Sequence, residues 1–161
     1  MRSIIFLAVA FAATPAEASA WFMVTPATSN LAAVQMADAA SIRNDGQYIE
    51  IWTHLFYKEP VNGVKSYMMQ FAVDCERRMA RQKRYIDYDE NFRVIDSGDS
   101  SPTADGAFRS MAPDTIGDLT ITFACSTPEY RKHNYLSIAP SQDYHAIAKF
   151  FLEPGELVKT K

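Results

Sequence analysis

Ten consecutive residues near the middle of the chain, Ser66 to Cys75, alternate strictly between two sets. Tyr67, Met69, Phe71, Val73 and Cys75 form the apolar set, and Ser66, Met68, Gln70, Ala72 and Asp74 form the other. A period of two with one apolar side is the mark of a half-buried β-strand, because successive side chains of a strand point to opposite faces. Ile49, Ile51 and Leu55 repeat the pattern against Glu50, Trp52 and His54. Asn44-Asp45-Gly46 and Asn62-Gly63 supply the positive-φ residues that tight hairpins require. Asp89-Glu90-Asn91 reads as a third turn. With Leu31–Asp38, Arg78–Tyr88 and Phe92–Ser97 as further strands, these segments predict a five-strand antiparallel meander.

The N-terminus predicts export. Arg2 precedes the apolar run Ile4 to Ala13, and Ala18-Ser19-Ala20 ends the segment in the small-x-small pattern of a cleavable signal peptide. The run is shorter than the roughly 20 apolar residues of a membrane-spanning helix. Cleavage after residue 20 would leave 141 residues, the length of one domain, with the net charge of −3 unchanged. Such mild acidity argues against nucleic acid as a partner. No later segment is apolar enough for stable membrane insertion. Cys75 and Cys125, fifty residues apart, lack the short spacing of metal ligands. In an exported chain two such cysteines most simply form a disulfide, the alternative being two separate buried thiols.

The stretch from Ser97 to Ala107 reads as a loop. Residues 114–125 are ambiguous. Leu119, Ile121, Phe123 and Cys125 alternate as in a strand, and β-branched residues favour that state, but Asp114 could cap a helix. Near the C-terminus Tyr144, Ile147, Ala148, Phe151 and Leu152 share one helical stripe behind Ser141 as N-cap, and Pro154-Gly155 ends it. The expected fold class is therefore α+β: an antiparallel meander of five to six strands covered by one or two helices, in two layers, with one disulfide.

Catalytic patterns are not found. His54, His133 and His145 form no metal-binding spacing, and neither a nucleophile elbow nor a phosphate-binding glycine loop is present. The expectation is a non-enzymatic chain. The most unusual local feature is five bases in eight residues: Arg77, Arg78, Arg81, Lys83 and Arg84. As a patch they would meet a polyanion, an anionic lipid headgroup or an acidic protein surface, with binding that weakens in salt. As a solvated edge strand they would instead discourage sheet-to-sheet aggregation. If the run is a strand, Arg77, Arg81 and Lys83 take one face and Arg78 and Arg84 the other. Trp52 falls on the more polar set of its strand, either beneath a neighbouring element or on a binding face.

Taken in order, these motifs are similar to a known family. Asp38-Ala39-Ala40-Ser41-Ile42, Gly46 and Ile51-Trp52 resemble the opening of the bacterial surface-adhesin protein E-like domain. Phe71-Ala-Val-Asp-Cys75-Glu-Arg-Arg78 with Arg81 resembles its cysteine motif, and Phe108, Met111-Ala-Pro113-Asp-Thr115 and Cys125 resemble its close. Phe108 stands where the family usually has Trp, and the segment from about 126 to 161 extends past the usual end. The resemblance implies an α+β domain, a helix before the second cysteine and a bridged cysteine pair, with Trp52, Asp38, Gly46, Phe108 and Pro113 as structural positions. It also implies binding of host matrix proteins such as vitronectin and laminin, and of haem. A haem-like ligand held between sheet and helix would draw on His54, His133, Met68, Met69 and Tyr67. The competing expectations are thus an exported adhesin-like module at the cell surface or secreted, a periplasmic small-ligand binder, and a structural periplasmic protein. An exposed strand edge would also permit a homodimer.

Overall fold

A computed structural model of the chain describes residues 19–26, 31–100 and 107–154. The leader predicted over residues 1–20 lies almost wholly outside the described residues, as do Gly155 and most of the loop after Ser97. Five long strands run up and down in sequence order: β2 (Ala33–Asp45), β3 (Tyr48–Val61), β4 (Val64–Asp74), β5 (Met79–Tyr88) and β6 (Val94–Asp99). This is the expected meander. The count rises to eight among the described residues through three short strands. β1 (Trp21–Met23) pairs with β2, β8 (Leu136–Ser137) pairs with β1, and β7 (Arg109–Ser110) pairs with β5. Two- and three-residue strands are too short to show a period in sequence, which is why they escape it.

The hairpin signals act as expected. Gly46 sits at φ 64°, and Asn62 and Gly63 at 52° and 82°, the left-handed pair of a tight two-residue turn. The Asp38–Ser41 motif organises a bulge where the β2–β3 register shifts between Asp38 and Arg43. Asp38 Oδ1 accepts from the backbone N–H groups of Ala20 (2.9 Å) and Ala40 (3.0 Å). The Ser41 hydroxyl donates to the Asp38 carbonyl and accepts from the Trp52 N–H. Backbone groups that the bulge removes from the ladder are thereby satisfied by side chains.

Register assigns each side chain to a face, because residues directly opposite one another in an antiparallel pair share a side. Ile51, Phe71, Val73, Ala37 and Ala80 fall on one face, and His54, Phe56, Met36, Val34 and Met68 on the other. Both faces are covered. On the first lie Ile121, Phe123 and Ala124 of α1 (Ile116–Cys125), with α2 (Pro128–Asn134) following it. On the second lie Ala148 and Leu152 of α3 (Tyr144–Leu152). The expected two layers are three. The set that looked polar in sequence includes Met36, Phe56 and a fully buried His54, and it needs a cover of its own.

Residues 116–125 form a helix, against their strand propensity. The cap is Thr115, whose hydroxyl accepts from the Asp118 N–H, whereas Asp114 stands outside the helix at φ 61°. Thr120 and Thr122 return their hydroxyls to the carbonyls of Ile116 and Asp118. Each β-branched residue costs a helix at most about 0.7 kcal/mol. Burying Ile121 and Phe123, both 0% exposed, gains roughly 2–3 kcal/mol apiece, so tertiary contact decides. The helix is fixed at several points. Gln35 Nε2 donates to Thr120 Oγ1 at 2.8 Å, Arg78 pairs with Asp118, and Arg131 donates to the C-terminal carbonyls of Phe123 and Ala124. In α3 the cap is Asp143 rather than Ser141, accepting from the His145 N–H.

Cys75 and Cys125 are bonded, tying the end of β4 to the last residue of α1 across a sequence separation of 50. Closing a loop of that length stabilises the fold by about 4 kcal/mol in the chain-entropy treatment. Replacing both cysteines by alanine is therefore expected to lower the urea-unfolding free energy by roughly that amount. An unchanged midpoint in the double variant would show that the bridge leaves stability untouched.

Candidate functional site

The basic run divides between a turn and a strand. Arg77 and Arg78 occupy the turn between β4 and β5, and Arg81, Lys83 and Arg84 lie in β5. Four of the five bases meet carboxylates of the chain itself: Arg77 with Asp74 (2.7 Å), Arg78 with Asp118 (2.6 Å), Lys83 with Glu50, and Arg84 with Asp99 (2.9 Å). The fifth, Arg81, lays its guanidinium over the Phe108 ring at 5.3 Å. Hydrogen bonds from the Arg77 backbone N–H and guanidinium hold the Asp74 carboxyl below its usual range. The Arg78 and Arg84 pairs are exposed and add little stability, the other two are part-buried, and each of the four places a negative charge beside a positive one. The run thus presents a mixed surface. The strand faces also differ from strict alternation, because the β4–β5 register shifts between Gln70 and Phe71, leaving Lys83 opposite no residue of β4.

The family-motif residues have structural tasks. Trp52 is half-buried opposite Asp38 and Gln70, Gly46 forms the first hairpin turn, and Phe108 packs on Tyr48 with ring centroids 4.6 Å apart. Pro113 lies in the turn leading to the Thr115 cap. Residues considered for a haem-like ligand are not brought together. His54 and Met68 lie on the α3 face, Tyr67 and Met69 on the α1 face, and His133 is exposed on α2. Among the described residues no cluster of three or more His, Cys, Asp or Glu is arranged to hold a metal ion.

A different group converges where α3 meets the sheet. His54 is 2% exposed, and its Nδ1 lies 3.1 Å from the Tyr144 hydroxyl. Its ring centroid stands 4.0 Å from Phe56 and 5.5 Å from both Tyr88 and His145. Trp21 stacks on Tyr144 at 4.2 Å and 14°. His54 Nε2 has no hydrogen-bond partner within the protein. Burial, reinforced by His145, pushes the His54 pKa down to about 3, and burial raises that of Tyr144. His54 is therefore neutral at physiological pH.

Beside this group a cleft of about 360 Å³ opens between α3, the β3 and β4 strands and the β5–β6 turn. Phe56, Phe92, Leu152 and His145 line it, with Lys65, Lys149, Glu90 and Glu153 among its polar residues. Phe92 is held at φ 57°, a region costly for an aromatic residue, by a turn in which Asp89 Oδ1 accepts from the N–H groups of Asn91 and Arg93. Its ring lies 4.7 Å from that of His145 and remains 46% exposed. Val94 and Ile95 follow, each more than half exposed. Sequence reasoning missed Phe92 and His145 as site residues. Neither a phenylalanine after a polar turn nor a Tyr-His pair at a helix start is a pattern that marks a site in sequence.

The cleft thus lies at one end of a two-faced antiparallel sheet. The family model described as Surface-adhesin protein E matches residues 21–126. The chain belongs to that family, which assigns it a surface-adhesin-like role and points to an exported or surface location. No curated protein and no solved structure matches it. No helix among the described residues is long and apolar enough to cross a membrane.

The burial of His54 has a consequence for stability. A histidine whose folded pKa lies below its unfolded value of about 6.5 takes up a proton more readily when unfolded, so stability is intact above pH 6.5 and falls as pH drops toward 3. The loss attributable to this group at pH 3 is on the order of 4 kcal/mol. His54→Leu is expected to unfold with a visibly flatter acid limb in urea titrations between pH 7 and 4. Parallel limbs for the two proteins would mean that His54 does not govern the acid response.

Proposed function

We propose that this chain is an exported, non-enzymatic adhesion module that binds an extracellular protein through the aromatic end of its sheet, where Phe92 borders the cleft. Phe92 is the observation that carries the reading. A phenylalanine in the left-handed region costs of the order of 1–2 kcal/mol, and nearly half of its surface still faces solvent. Strain of this kind concentrates at binding sites, where it positions a contact in advance. The surroundings have the anatomy of a protein interface: an apolar pocket able to take an anchoring side chain, flanked by charges of both signs. Vitronectin and laminin, the matrix proteins implied by the family resemblance, are the first partners to test. The bases at 77–84 lie outside the cleft lining, and four of the five are answered by carboxylates within the chain, so they are not the main attraction.

A second reading, a small amphipathic ligand in the cleft at a periplasmic location, draws support from the cleft volume and its mixed aromatic and lysine lining.

Asparagine tolerates the left-handed conformation better than phenylalanine does, so Phe92→Asn separates strain from contact. The variant is expected to melt at the wild-type temperature or above it. On immobilised vitronectin and laminin it is expected to bind at least about tenfold more weakly than the wild type. Full binding by a well-folded Phe92→Asn protein would remove this surface from the adhesion account.

A further inference from the structure

The two helical covers of the sheet are attached in very different ways. α1 is bonded covalently through Cys75–Cys125 and held by Gln35–Thr120, Arg78–Asp118 and the Arg131 cap. α3 is nine residues long, has no covalent tie to the sheet and lies beyond residue 126, where the family match ends. It rests on Met23, Val34, Met36 and Phe56 through Ala148 and Leu152, with Lys65–Glu153 as an ion pair at 3.7 Å. Its first turn seats Tyr144 and His145 against His54. Segments with few ties open locally at lower cost than the body of a domain.

The contact contains its own weak point. His54 and His145 lie 5.5 Å apart, and His54 keeps one ring nitrogen without a partner in the protein. We propose that α3 is an acid-released cover: protonation at the His54–His145 pair lifts Tyr144–Leu152 off the sheet while the rest of the domain stays folded, baring the apolar face of Met23, Val34, Met36 and Phe56. The groups facing the pair do not offset the added charge at His54. From α3 they are Tyr144 and, near His145 only, Asp143 at 3.4 Å. From β5 there is Tyr88, and from β3 the Phe56 ring. β2 contributes Met36 directly opposite His54, and β4 contributes Met68. Around His145 the cleft adds Lys65 from β4, Glu90 from the β5–β6 turn, Lys149 from α3 and Glu153 at its C-cap, two charges of each sign. No carboxylate is hydrogen-bonded to either ring nitrogen of His54. Once α3 lifts, the imidazolium reaches water, so the open form binds protons more strongly than the closed one. The depressed His54 pKa is consistent with this preference.

Hydrogen–deuterium exchange of the full chain, disulfide intact, tests the proposal when followed from pH 7 to 4 and corrected for intrinsic rates. Between about pH 6 and 4 protection of residues 144–152 is expected to fall by up to about tenfold per pH unit, at an opening free energy that stays below that of β3 and β4, whose exchange follows global unfolding. In His54→Leu, or in His145→Gln should the first variant fail to fold, that fall is expected to shrink. Equal opening free energies for α3 and β4 at each pH, the sign of a single unfolding event, would overturn the proposal, as would an α3 whose protection does not change with pH. A dependence identical in wild type and in the folded histidine variant would overturn it as well.

Discussion

Burial on both faces of β2 and β3 is the constraint on which the remaining structure depends. Met36 and Ala37, adjacent in β2, are each 0% exposed on opposite sides of the sheet, and Thr53 and His54 repeat the situation in β3. An antiparallel sheet can leave one face in water, but one that buries neighbours on both faces needs a cover on each. α1 and α3 are those covers. The disulfide, the Thr115 cap and the Arg131 hydrogen bonds all serve to hold the first of them in place. The second is held by apolar contact, one hydrogen-bonded histidine and the Lys65–Glu153 ion pair, and it leaves the far end of the sheet free, where the cleft opens.

Much of the sheet could be read in the chain because its strands carry local signals. Asn62-Gly63 demands its turn whatever surrounds it, and the alternation from Ser66 to Cys75 needs no partner to be recognised. The helix at Ile116–Cys125 could not be read this way. Its residues prefer a strand, and what overrides them is the apolar face of β2 and β3, neither of which is near in sequence. The third layer was hidden for a similar reason. His54 counts as polar in any pattern, so its strand appears one-sided until Tyr144, ninety residues away, supplies the hydroxyl that lets it be buried.

The functional surface was harder still. Clustered charge is conspicuous in a sequence, and the bases from Arg77 to Arg84 attract notice for that reason. Asp74 stands three residues from Arg77, but Glu50, Asp118 and Asp99 lie elsewhere in the chain and meet Lys83, Arg78 and Arg84 only when the fold forms. Phe92 is the reverse case. Nothing about one phenylalanine after a turn signals a site, and its significance lies in a backbone angle and an exposure that only the folded chain defines.

Two accounts of adhesion therefore differ in their physics. Contact through an apolar cleft responds weakly to ionic strength, whereas contact through a basic patch is screened by salt over about 10 Å at 0.1 M. The salt dependence of binding to immobilised vitronectin between 50 and 500 mM sodium chloride separates them directly. Adhesion through the aromatic end predicts an affinity that changes by less than about threefold across that range. A fall of tenfold or more would contradict it and return the basic run to the centre of the interface.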